Sequence, residues 1–152
     1  MEEQKRILVV DDDDAILKGV ATILRLKGYD VETAETGRQA IEKSQSQFFN
    51  LALLDIKLPD MEGTSLLVKM HHTTPRMMKI MLTGYPSLEN AVTALNLGAD
   101  AYLLKPVNPK DLLKVVEEKI TEQSEAEALS EEKVAEWVRT RLRKAQQEDG
   151  LE

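Results

Sequence analysis

Asp11, Asp12, Asp55, Thr83 and Lys105 are the residues whose types and spacing invite chemistry. Each stands at or just beyond the end of a short apolar run: RILVV before the first two, LALL before Asp55, MMKIML before Thr83 and AYLL before Lys105. In LLDIKLPDMEG the apolar stretch stops at Asp55, and Lys57, Pro59 and Gly63 follow where the backbone has to turn. A buried carboxylate is costly unless paired or coordinated, so Asp55 must reach solvent or meet a charge. Three carboxylates brought together repel one another and gain little from one lysine. A hard divalent cation satisfies them, and oxygen ligands with room for water suit Mg2+. A phosphoryl group arriving at Asp55 would then meet the ion, the Lys105 ammonium and the Thr83 hydroxyl. Phosphoryl transfer needs mostly positioning and charge neutralisation. A carboxylate nucleophile forms an acyl phosphate without a general base.

For these residues to meet, the runs that carry them must end on one edge of one sheet. RILVV (6–10) and LALLD (51–55) are continuously apolar and read as strands covered on both faces, whereas YDVETA (29–34) alternates like an edge strand. MMKIML (77–82) and AYLL (101–104) supply two more strands. Between them lie helical patterns: Ile16, Val20, Ile23 and Leu24, with Asp13 or Asp14 as cap and Gly28 as stop; a stretch from about Thr36 to Ser46; Leu66, Leu67 and Met70; and Leu88, Ala91, Val92 and Leu95 after Ser87. Asn108-Pro109 opens a fifth helix through Leu112, Leu113, Val116 and Ile120. Strict β-then-α alternation predicts an α/β fold, a doubly wound five-stranded parallel sheet in the flavodoxin-like order 2-1-3-4-5. Ligands bind such sheets outside the carboxyl ends of the strands, at the switch point between the first and third.

The chain has 152 residues, no cysteine and a net charge of −7. That excludes disulfide and thiol chemistry, fits a reducing compartment, and argues against direct nucleic-acid binding, because acidic surfaces repel phosphate backbones. MEEQKRILVVDDDD does not read as a signal peptide, and no stretch is apolar enough for a membrane span. Past Thr121 the composition shifts to EQSEAEALSEE and KVAEWVRTRLRK, and residues 121–152 hold nine acids and five bases. The pattern predicts a folded domain over residues 5–122 and a charged helical C-terminal extension over 123–152 without a separate effector domain. Ser130 is the expected cap of a last helix, with Trp137, Val134, Val138 and Leu142 as a modest apolar stripe.

ILVVDDDD, LALLDIKLPDMEG, MLTGY and GADAYLLKP, in this order and spacing, resemble the receiver domain of two-component response regulators over residues of about 5 to 122. The resemblance implies Asp55 as phosphoacceptor and a site for Mg2+ made by Asp12, Asp11 (through water), Asp55 and the backbone carbonyl of Lys57. It also implies phosphoryl contacts from Thr83 and Lys105, a cis Lys105-Pro106 peptide and Tyr102 as a switch aromatic coupled to Thr83. Its donor would be a sensor histidine kinase or phosphotransfer protein and its output a downstream protein target, in the cytoplasm, with room for a homodimer formed on phosphorylation. It would catalyse only its own phosphorylation and dephosphorylation. Lys57 and Tyr85 stand in slots that flank the path of hydrolytic water, which predicts a long-lived acyl phosphate.

Other readings compete. A haloacid-dehalogenase-type phosphatase would use Asp11 of Asp11-Asp12-Asp13 as nucleophile, although the usual Gly-Thr after the second aspartate is missing. A phosphorylation-independent interaction module would leave the charged site idle. No G-x-x-x-x-G-K-[ST] loop supports nucleotide binding. Asp60 and Gly63 read as turn chemistry, His71-His72 as an exposed helix end, and Met77, Met78 and Met81 as core filler.

Overall fold

The computed structural model describes residues 4–84 and 87–149. Five strands, β1 (Arg6–Val10), β2 (Asp30–Ala34), β3 (Leu51–Asp55), β4 (Met78–Thr83) and β5 (Ala101–Leu104), alternate with α1 (Asp14–Leu26), α2 (Gly37–Ser46), α3 (Gly63–Thr73), α4 (Leu88–Asn96) and α5 (Pro109–Asp149). All strand pairs are parallel and the sheet order is β2-β1-β3-β4-β5, as the alternation predicts.

The period-two geometry of strands divides the core into two layers. Leu8, Val10, Ala52, Leu54 and Met81 point to one face and pack with Ala40 of α2, Leu66, Leu67 and Met70 of α3 and Ala94 of α4. Ile7, Val9, Leu51, Leu53 and Ile80 point to the other, against Leu17, Val20 and Leu24 of α1 and Leu112, Val116 and Ile120 of α5. Both central strands are covered on two sides, which is why β1 and β3 read as unbroken apolar runs. Met77 and Met81 are buried in the core and both histidines are exposed, as the sequence suggests.

Local chemistry fixes the helix ends. Asp13 caps α1 by accepting from the backbone N–H groups of Ala15 and Ile16, and Gly28 ends it with φ of 92°, a conformation that favours glycine. Thr36 caps α2 through Gln39 N–H, and Asn108 caps α5 through Lys110 N–H.

Two expectations fail. Val92 and Leu95 are 47% and 51% exposed, and α4 buries Ala94 instead. A nine-residue helix with apolar groups on several sides has more than one inward face to offer, and a small one packs closer to the sheet. Leu88's side chain lies outside the described residues. Nor does Ser130 begin a helix: α5 runs unbroken from Pro109 to Asp149, because no glycine or proline interrupts residues 110–149. The chain divides into two units, Met1–Ile120 and Thr121–Glu152, the second carried by the latter part of α5.

Candidate functional site

The strand registers set Val10 beside Leu54, Asp55 beside Leu82 and Thr83 beside Leu104. One step further along each strand brings Asp11, Asp55, Thr83 and Lys105 to the same carboxyl edge. The sheet therefore delivers four residues from four separate strands without any of them being sequence neighbours. Asp12 follows Asp11 on the loop into α1 and is exposed.

Asp11 is fully buried, Thr83 is fully buried and Asp55 is 6% exposed. The Lys105 ammonium bridges the two acids, 2.7 Å from Asp11 Oδ2 and 3.1 Å from Asp55 Oδ1. Asp11 Oδ1 accepts from Asp13 N–H at 2.9 Å, and Lys57 N–H lies 3.4 Å from Asp55 Oδ1. The Lys105-Pro106 peptide is cis. Burial raises the Asp55 carboxyl above its ordinary range, with the Asp11 charge adding to the rise and Lys105 opposing it. For Lys105, burial works to lower the ammonium, but the hydrogen bonds and charges of Asp11 and Asp55 outweigh it and leave it raised.

Carboxylate oxygens of Asp11, Asp12 and Asp55 lie within 4.8 Å of one another. One ammonium cannot neutralise three such groups, and an all-oxygen set with an open side fits a small hard cation. The open side is a cavity of about 460 Å³ lined by Asp12, Asp55, Ile56, Lys57, Gly84 and Lys105. Gly84 leaves the approach over β4 uncrowded.

The loop after β3 holds two residues whose importance the sequence conceals. Gly63 N–H donates to Ile56 O at 2.7 Å, and a Cβ on Gly63 would run into the Asp55 carbonyl oxygen and come within 2.7 Å of Ile56 Cα. Gly63 is required by this close approach of two backbones. Gly63→Ala is expected to cost about 2 kcal/mol or more and to disturb Asp55, read as a lower urea midpoint together with weaker phosphoryl uptake. Asp60 accepts from the N–H groups of Gly37 and Arg38, which hold its carboxyl below the usual range. It therefore caps α2 from across the molecule and ties the β3–α3 loop to it. An aspartate three before a glycine gives no local sign of either contact.

Tyr102 packs against the α2–α4 side of the core, with a buried hydroxyl that has no hydrogen-bond partner among the described residues. Lys57 is exposed at the cavity rim, and Tyr85 lies outside the described residues.

With this geometry in view, residues 7–117 match the response regulator receiver domain, and the chain belongs to that family. A response regulator receiver domain protein (CheY-like) from Methanospirillum hungatei JF-1 is 58% identical with a TM-score of 0.79, the match covering 82% of this chain and 99% of that one. The beryllofluoride-activated NtrC4 receiver domain dimer is 33% identical with a TM-score of 0.76, covering 79% of this chain and 99% of the other. The transcriptional regulatory protein ZraR of Escherichia coli K12 is 39% identical over 111 residues, 73% of this chain but 25% of its own. The chain thus spans about a quarter of the length of that relative. It is a signalling domain, a phosphorylatable switch of the receiver type. The geometry agrees, since Asp11 is sealed and held by Lys105 while Asp55 lines the cavity. No helix among the described residues is long and apolar enough to cross a membrane.

Proposed function

We propose that the receiver takes a phosphoryl group onto Asp55 from the phosphohistidine of a sensor histidine kinase or phosphotransfer protein and thereby changes the surface it offers to a downstream protein. The reading gives the receiver residues 5–122, treats 123–152 as an extension, and places the exchange in the cytoplasm. It rests most heavily on one observation: Lys105 reaches Asp11 and Asp55 at once, from the ends of different strands.

Asp11, Asp12, Asp55 and the backbone carbonyl of Lys57 would hold Mg2+, which when bound supplies positive charge to the phosphoryl oxygens. An Asp55 carboxylate oxygen attacks phosphorus in line with the breaking P–N bond. The bond electrons leave with the donor imidazole, which regains a proton from water, and Asp55 becomes an acyl phosphate. Lys105 restrains the carboxylate before transfer and can turn its ammonium to a phosphoryl oxygen afterwards. Thr83 offers its hydroxyl to another. Lys57 at the rim, with Tyr85, would slow the approach of hydrolytic water. No external substrate is turned over.

The deciding experiment is phosphorylation with a small phosphodonor and Mg2+, followed by peptide mapping of the hydroxylamine-labile label. Label on the peptide containing Asp55 supports the reading; label on Asp11 would return the hydrolase alternative.

The switch in this reading would draw on packing around Tyr102. A buried hydroxyl without a partner is disfavoured by about 1–3 kcal/mol, so the Tyr102 ring, whose hydroxyl has no partner among the described residues, would gain by turning to a new one when Thr83 is drawn to the phosphoryl oxygens. Populations then shift between two existing states. Thr83→Ala is expected to keep the Asp55 label yet lose the phosphorylation-dependent change in Tyr102 ring resonances, measured by NMR. Full retention of that change would break the proposed link.

A further inference from the structure

Large apolar side chains stand exposed along the latter part of α5: Val134, Trp137, Val138 and Leu142 are 59%, 60%, 42% and 59% exposed. Their spacing of three and four places them on one side of the helix. Monomeric surfaces seldom leave such a row uncovered. The charges flanking it are sorted. Residues 121–132 carry five acids and no base, and residues 133–144 carry five bases and a single acid. On the apolar side itself, Glu127 and Glu131 precede Val134 by seven and three positions, and Arg141 and Lys144 follow Trp137 by four and seven. The Arg141 guanidinium lies 5.1 Å from the centroid of the Trp137 ring, which holds that charge beside the stripe.

We propose that this segment pairs with the same segment of a second copy, antiparallel, about a two-fold axis near Ala135 and Glu136. Val134 and Trp137 of each copy then face Trp137 and Val134 of the other. Glu127 stands opposite Lys144 and Glu131 one residue from the position opposite Arg141, within reach of both long side chains, and symmetry repeats each pair. The contact is isologous, so every acid that meets a base on one side does so on the other. A parallel pair would set acid on acid and base on base. Antiparallel packing also opposes the helix dipoles. The apolar row supplies the attraction, and the sorted charges choose the orientation, the role exposed ion pairs perform best. A two-fold partner is the occupant this pattern fits, because the helix is complementary to its own reverse.

The chain has one tryptophan and no cysteine, which makes the test clean. Sedimentation of the full chain across a concentration series is expected to show a monomer–dimer equilibrium, with Trp137 emission shifting to shorter wavelength as dimer forms. Ala126→Cys and Ala145→Cys, both at exposed positions, are then oxidised separately and as a mixture. The mixed disulfide is expected to exceed either self-disulfide by about tenfold, since only opposed thiols share a high effective concentration. Charge reversal by Glu127→Lys with Glu131→Lys should abolish the dimer, and adding Arg141→Glu with Lys144→Glu should restore it. These positions are on the helix surface, and helix content by circular dichroism separates lost pairing from lost folding. A chain monomeric at every concentration, preferred self-disulfides, a Trp137 shift at monomer mass, or no restoration by the second reversal would each overturn the proposal.

Discussion

Asp55→Asn is expected to abolish phosphoryl incorporation outright while leaving the protein folded, with no hydroxylamine-labile label remaining. The amide keeps the shape of the carboxylate but offers no nucleophilic oxygen anion, and the other carboxylate lining the cavity, Asp12, stands on the loop into α1 in the proposed Mg2+ set, not at the end of β3. The substitution also has a stability signature whose sign follows from the site. Burial and the Asp11 charge raise the Asp55 carboxyl above its ordinary value of 3.8, so the folded state binds this proton more tightly than the unfolded one. Below 3.8 both states are protonated and the group contributes no difference. As pH rises from there through the folded value, the ionised Asp55 increasingly destabilises the native state. Asparagine escapes that penalty. Without divalent cations, the Asp55→Asn protein should therefore match the parent in urea at low pH and exceed it at neutral pH. Parent and variant diverging in the opposite direction would mean that Lys105 does more for Asp55 than burial and Asp11 do against it.

Lys105→Met should give the second large effect, on stability as well as chemistry. The ammonium is the shared partner of two buried acids, with Asp11 at 0% exposure. Removing one member of a buried ion pair leaves uncompensated charge and typically costs about 3–5 kcal/mol, so a loss near ~3 kcal/mol is expected in chelator. Mg2+ should restore much of it, because the three carboxylates remain to bind the ion; ligand at about a hundred times its dissociation constant adds about 2.7 kcal/mol. Phosphoryl uptake should stay low even so, since the ion cannot replace a donor aimed from β5. Urea midpoints with and without Mg2+, set against labelling rates, separate the two roles. If Mg2+ rescued uptake fully, Lys105 would be a structural counterion only.

Much of the site could be read from sequence because each reactive residue interrupts a pattern. Asp11, Asp55 and Lys105 are charges where apolar strands stop, and the strand order that unites them follows from the β/α alternation. What escaped detection depends on groups far apart along the chain. Asp60 caps α2 from 23 residues away, and Gly63 matters because of the backbone opposite it. Neither leaves a trace in local periodicity. The α4 face was misjudged because apolar residues occupy several sides of that short helix, and spacing alone ranks Ala94 below Leu95. Ser130 suits a helix cap and a helix interior equally well, so a continuous α5 and a broken one share the same local signal.

At the opposite end of the sheet, away from the phosphoryl chemistry, lies Lys79. It is the buried basic residue among the described ones, 1% exposed, with its ammonium donating to the carbonyl oxygens of Thr74 and Met77 at 2.7 Å each. Burial lowers it below the ordinary lysine range, and its backbone exchanges hydrogen bonds with Asp100, which clasps β4 to the turn before β5. An amine shut in this way cannot be acylated by a water-borne reagent until that corner of the molecule opens. Lys79 is thus a built-in clock for breathing of the sheet's rear edge, legible by chemical footprinting while the front edge is cycled through its signalling states.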